Sequence, residues 1–167
     1  LTRDREELEA EAHRIRTALA DEAGALLDFL PALEHVIGPQ RPVLQLGGRE
    51  ARDRFDRLLL GFIGVFARAG HPLVLFLDDL QWIDPASLRL LTELVADREG
   101  AGRHLMVIGA YRDNEVSKSH PLALAIAGLR EGGASIRSVE LGPLSGDDLR
   151  QLTSQSLDRP VDDVAPL

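Results

Sequence analysis

Two adjacent carboxylates, Asp78 and Asp79, close the stretch LVLFLDD, in which five consecutive apolar residues, Leu73–Leu77, run straight into the acids. Carboxylates are hard oxygen ligands, so a pair held at one point suits a divalent cation or a metal-bound phosphate. A second apolar run, HLMVIGAY, ends in the same manner on the polar residues RDNE, Arg112 to Glu115. Chemistry of this kind needs a rigid support. An unbroken run of Leu, Val and Phe without polar alternation reads as a strand covered on both faces, the pattern of a parallel α/β sheet. The carboxyl rim of such a sheet is where ligands bind. Spacing alone also allows a purely structural role, in which Asp78 caps the strand end.

The surrounding sequence supplies the elements that would hold that rim. From Asp4 to about Leu30, the residues Leu8, Ala12, Ile15 and Leu19 fall on one helical face, with a break expected near Gly24. Pro31 to Gly48 is dense in Pro and Gly and reads as a connector. Phe55, Leu58, Leu59, Phe62, Ile63 and Phe66 then repeat at helical spacing, and Gly70 is expected to end that helix. After the acids, Asp84 followed by Pro85 predicts an N-cap and a first-turn proline. The helix they open runs through Leu88, Leu91, Leu94 and Val95, and Gly100 closes it. Further on we expect a second buried strand over about Leu105–Tyr111, a short helix over about Leu122–Leu129 and a third strand over about Ile136–Leu141. Ser145 and Asp148 are spaced as a capping box for one more helix. The closing RPVDDVAPL is expected to be a loose end.

Composition narrows the function classes. With 167 residues and 44% hydrophobic content, the chain has material for one domain with a real core. A net charge of −8 and a pI near 5.1 argue against nonspecific binding to nucleic acid or to anionic membrane, since both need surplus Lys and Arg. Cysteine is absent, which excludes disulfides and thiolate metal sites and makes a reducing cytoplasm the expected compartment. None of the five histidines pairs with another at metal-ligand spacing, and no nucleophile elbow is present. No apolar run approaches the roughly 18 residues of a membrane span. Trp82, the only tryptophan, reads as a packing anchor, and His71 and Tyr111 flank strands as structural residues. The opening LTRDREELE lacks an initiating Met and reads as a segment of something longer. Heavy use of Ala, Arg, Leu and Gly beside a single lysine points to a GC-rich bacterial genome.

Taken together, LFLDDLQWIDPASLRLL, IGAYRDNE, SHPL and VELGPLSGDDL, with LPALEHVIGPQ and REARDRFDRLLLGFIGVFA upstream, resemble the AAA-type ATPase domain of large bacterial signalling proteins. These are multi-sensor serine/threonine kinase and histidine kinase hybrids, and ATPases of the STAND class. The resemblance covers roughly residues 26–157. It implies an α/β fold, an incomplete three-layer parallel sheet of the P-loop NTPase (AAA-like) type with flanking helices. It divides the chain into an N-terminal helical segment and connector over 1–48, an AAA-like core over 49–143 and the start of a C-terminal helical region over 144–167. ATP and Mg²⁺ are the cofactors implied for the complete domain. Asp78 matches the Walker B aspartate that holds Mg²⁺, and Asp79 stands where many AAA enzymes carry a catalytic Glu. Arg112 matches the sensor-1 arginine that reaches the γ-phosphate. Each residue type suits its implied role. The shorter acid still orients water, with less reach, and a guanidinium forks onto phosphate oxygens. For Arg112 the plain alternative is an ion pair with Asp113, Glu115 or Asp79 that only fastens the strand end.

A phosphate-binding loop, G-x-x-x-x-G-K-[ST], is missing from these residues. The only lysine, Lys118, sits between Ser117 and Ser119, and the pair Gly47 and Gly48 has no lysine beside it. In the resembled family the loop precedes the segment where this chain begins, so the parent protein is expected to carry it. The expected function is a fragment of an ATP-binding and hydrolysing regulatory domain, inactive by itself, whose partners are linked kinase or effector domains. A sheet without its interior strand leaves open edges, which invite pairing with another copy. One rival is a noncatalytic interaction scaffold derived from the ATPase fold, in which the acids merely cap strands. Another is a receiver-like phosphoacceptor domain, disfavoured because no later strand ends in a suitable Asp.

Overall fold

The computed structural model describes residues 2–158 and 160, with side chains from residue 6 onward; Leu1, Arg159 and the predicted loose end over 161–167 lie outside them. The described residues fall into two compact units divided between Ser135 and Ile136. In the first, helices α1 (Thr2–Leu19), α2 (Gly24–Leu27), α3 (Glu34–Ile37) and α4 (Gly48–Phe66) precede a unit of strand β1 (Leu73–Leu77), helix α5 (Pro85–Ala96) and strand β2 (Leu105–Gly109). Helix α6 (Pro121–Glu131) follows. The second unit holds helix α7 (Gly146–Leu157), opened by the predicted capping box: Asp148 N–H donates to Ser145 Oγ, and Ser145 N–H to Asp148 Oδ2.

The α1 stripe buries Ala12, Ile15 and Leu19 as predicted, while Leu8 stays exposed. The helix breaks earlier than Gly24, because Ala20 takes a left-handed conformation at φ +47°. The chain then folds back through α2 and α3, and Leu26, Leu33 and Ile37 join Leu58 and Val65 of α4 in one core. Each of these side chains gains on the order of 1.5–3 kcal/mol from leaving water. Phe55, Phe62 and Phe66 pack against that core, with the Phe29 and Phe55 rings 4.4 Å apart. Helix α4 stops at Phe66, short of the predicted Gly70. Gly70, at φ +81°, instead turns the chain toward β1, in a bend where Arg68 and His71 exchange backbone hydrogen bonds.

The fold class is α/β, with a parallel two-stranded sheet and flanking helices, as in a partial P-loop NTPase domain. Leu73 pairs with Leu105 and the register runs through to Leu77 opposite Gly109. Two expectations are corrected. Strand β1 is covered on one face only: Leu77 packs against the cluster of Leu80, Leu88 and Leu122, but Val74 and Phe76 are 55% and 60% exposed. Their register partners Met106 and Ile108 stand open beside them. A strand shows side chains alternately to its two faces, and the helices after each strand cover one of these. The predicted third strand over Ile136–Leu141 does not form, since residues 134–145 carry no strand. A strand exists only with a hydrogen-bonding neighbour, and among the described residues only β1 and β2 pair as strands.

Candidate functional site

Strand β1 delivers Asp78 and Asp79 at its carboxyl end, and the parallel register brings the end of β2, with Arg112 just beyond it, to the same rim. Backbone hydrogen bonds extend the pairing past the strands: Ala110 N–H donates to Leu77 O at 2.8 Å, and Leu80 N–H to Ala110 O at 2.9 Å. Gly109 leaves room for this packing. A Cβ there would meet Leu80 Cδ1 at 2.4 Å, so any side chain at this position would have to displace the Leu80 methyl group beneath the end of β2. Asp79 turns the chain sharply by adopting a left-handed conformation at φ +52°. Asp tolerates this at a cost on the order of 1 kcal/mol. Asp78 Oδ1 steadies the turn by accepting the Asp79 N–H at 2.8 Å.

The three residues predicted for the site therefore come together on one rim, all exposed to solvent. Arg112 Nε lies 3.9 Å from Asp79 Oδ1, and Arg112 Nη1 lies 3.3 Å from Glu115 Oε1. The plain alternative weighed for Arg112 is thus realised as an ion pair, on a guanidinium that remains open to solvent. Glu115, one of the partners the sequence offered, is the acid that holds the arginine. One participant escaped the sequence reading. Gln81, buried at 6% exposure, donates from Nε2 to Asp79 Oδ1 at 2.8 Å and accepts the Arg112 N–H at 3.2 Å. The signal for Gln81 was a polar residue between Leu80 and Trp82 directly after the acids. Trp82 reverses its expectation: it is 74% exposed, because the turn after Asp79 points Leu80 and Gln81 inward and leaves the indole outside.

Behind the rim, α5 starts as predicted. Asp84 Oδ1 accepts the N–H groups of Ala86 and Ser87, and Oδ2 accepts the Ser87 hydroxyl. The Ser87 hydroxyl, followed by these backbone donors, holds the Asp84 carboxyl below the usual carboxylate range. Helix α5 is tied to α4 by the ion pair of Arg89 with the buried Asp56.

The model of the AAA ATPase domain family matches residues 2–108. The chain belongs to this family. The match takes in β1, both acids, Gln81, α5 and most of β2, and it ends before Arg112. A relative, the hybrid signal transduction histidine kinase G of Dictyostelium discoideum, is 39% identical over 89 residues, which are 53% of this chain and 3% of that protein. The chain thus spans a small fraction of the length of the curated relative it matches. No solved structure matches.

Membership in the AAA ATPase family implies a nucleotide and usually Mg²⁺, and the rim can be tested for both. Exposed carboxylates at a strand end fit a magnesium ion that completes its octahedron with phosphate and water. They do not fit a metal caged by protein, since no group of three or more His, Cys, Asp or Glu suited to a metal occurs among the described residues. The phosphates find no cradle, because these 167 residues hold no glycine-rich loop with a lysine. No helix among the described residues is long and apolar enough to cross a membrane.

Proposed function

We propose that this AAA ATPase domain carries the Walker B and sensor-1 half of an ATP site, within a regulatory domain of a STAND-class signal-transduction protein. The observation that carries the reading is the shared rim: Asp78 and Asp79 end β1, and Arg112, beyond β2, lies 3.9 Å from Asp79. In this reading Asp78 holds Mg²⁺, Asp79 orients water through a hydrogen bond, and Arg112 forks onto the terminal phosphate. The bound ion would supply charge neutralisation for the phosphates. The reading requires a phosphate loop from outside these 167 residues, so this chain alone is not a catalyst. The regulatory assignment, with a linked kinase as its output and the cytoplasm as its place, draws support from the kinase named above and from the absence of cysteine. The two outer edges of the β1 and β2 pair and its bare apolar face further support self-association.

A specific observation favours the scaffold as a second reading: Arg112 already has acidic partners in Glu115 and Asp79. Calorimetric titration of Mg·ATP decides between the two. The chain and a longer form of the protein that includes a phosphate loop are titrated side by side. Binding by the longer form alone, lost in Asp78→Ala and in Arg112→Ala, supports the half-site. Binding by neither leaves the scaffold.

A further inference from the structure

Gln81 touches both sides of the rim, and it is buried where Asp79 and Arg112 are exposed. Its Nε2 donates to Asp79 Oδ1 at 2.8 Å, and its Oε1 accepts the Arg112 backbone N–H at 3.2 Å. Chemistry dictates that orientation of the amide. An ionised carboxylate only accepts and a backbone N–H only donates, so the bridge needs one donor and one acceptor on one side chain. Met offers neither, and an ionised Glu offers only the acceptor.

Neither group that Gln81 reaches is held by the strand ladder, and the other contact of the Asp79 carboxylate is the exposed Arg112 guanidinium at 3.9 Å. Asp79 sits in a left-handed turn, so no regular strand geometry sets its carboxylate. The Arg112 N–H lies beyond the last hydrogen bond joining the two strand ends, that of Leu80 N–H to Ala110 O. The bond to Arg112 is made through its backbone, which leaves the guanidinium independent of the bridge. We propose that Gln81 is a positioning residue, setting the Asp79 carboxylate in a fixed place relative to the Arg112 backbone. The proposal rests on the half-site reading for its purpose. Gln81 occupies Oδ1 and leaves Oδ2 to accept from a water. When the exposed guanidinium leaves Asp79 for a phosphate, the carboxylate keeps its place.

The test uses nuclear magnetic resonance on the 167-residue chain, unaltered and with Gln81→Met or Gln81→Glu. Three quantities are read: hydrogen exchange at the Arg112 N–H, hydrogen exchange at the Leu80 N–H, and the Asp79 χ1 rotamer from three-bond couplings. Gln81→Met is expected to speed Arg112 exchange roughly threefold to tenfold, the worth of one hydrogen bond. It should also turn Asp79 from one rotamer into an average, while the Leu80 N–H keeps its protection. Gln81→Glu should separate the two ends of the bridge, keeping Arg112 protected while Asp79 averages. An Asp79 rotamer that stays single in both variants overturns the proposal and reduces Gln81 to a bracket for one backbone N–H. Where Gln81→Met also releases the Leu80 N–H, Gln81→Glu decides by the same criterion. Mg·ATP, titrated into the longer form of the protein that includes a phosphate loop and followed on the Asp78 and Asp79 carboxyl signals, tests the half-site separately. Unmoved signals there overturn the half-site reading while the exchange results still judge the bridge.

Discussion

Helices α1, α2 and α4 and the strand pair β1 and β2 all carry aliphatic residues, but the helices hide most of theirs while the sheet leaves one face bare. Leu19 and Leu26 are inaccessible to solvent, whereas Val74, Phe76, Met106 and Ile108 stand open on one face of the sheet. The difference follows from geometry. An amphipathic helix has a single apolar stripe, and α1 through α4 satisfy one another within a short span of chain. A strand of this composition presents two apolar faces, and α5 and α6 bring cover for one. The rim that carries Asp78, Asp79 and Arg112 therefore rests on a small cluster of Leu80, Leu88 and Leu122 and on a series of hydrogen bonds, while the deep core lies among the helices.

The strongest way to break this comparison is to cut side chains on both sides of it. Leu26→Ala is expected to cost about 2–5 kcal/mol, the range for emptying a packed leucine site. Phe76→Ala removes a larger side chain from the bare face and is expected to cost under about 1 kcal/mol. Urea denaturation of both variants checks this. Equal losses would mean that the sheet face is covered in solution, and the contrast between the two regions would fall.

Local signals were legible where one short stretch of sequence decides the outcome. The pair Asp84 and Pro85 opens α5, and Ser145 with Asp148 opens α7, because a cap is settled within one helical turn. Strand β1 was legible to the residue, since its apolar run is bounded by Pro72 and the acids. The segment Ile136–Leu141 failed because a strand is completed by a neighbour, and no local pattern shows whether one is there. The bare face of β1 escaped for a related reason. A two-sided apolar run announces that both faces are to be covered, without saying by which residues. At the rim, the acids stood out at the end of their apolar run and Arg112 was picked out by the family resemblance, whereas Gln81 and Trp82 depended on the left-handed turn at Asp79, a backbone choice that an Asp in a sequence does not reveal.

A second experiment sharpens the helical side of the comparison by asking how much of it is electrostatic. Glu11 of α1 pairs with Arg14 one turn on and with Arg68 beyond the end of α4, each at 2.7 Å. The hydrogen bond from Arg14, with the hydrogen bond and charge of Arg68 behind it, outweighs partial burial and brings the Glu11 carboxyl down from 4.5 to about 2. The folded-state value is depressed, so the stabilisation is fully present above the unfolded value near 4.5 and is lost as pH falls toward 2. Glu11→Gln is expected to cost about 1 kcal/mol at neutral pH, since solvent screens a pair this open. The gap to the unaltered chain should close by about pH 2. Thermal melts of both proteins between neutral and acid pH measure it. A gap that persists at pH 2 would assign the contact to packing.

The smallest expected effect on stability tests the bare face most directly. Phe76→Lys places a charge on a side chain position already in water, so its cost to folding is expected to stay within about 0.5 kcal/mol. Its effect on association should be large. Unpaired strand edges beside an apolar face are a template for another chain, and a lysine on an edge strand is one device by which natural sheets refuse such pairing. Sedimentation velocity over a concentration series is expected to show a rising sedimentation coefficient for the unaltered chain and a constant one for Phe76→Lys. A constant coefficient for both would remove self-association from the reading. The open face would then be a surface that the fold leaves wet, with the cluster of Leu80, Leu88 and Leu122 on the opposite face supplying the packing that keeps Asp78, Asp79 and Arg112 on their rim.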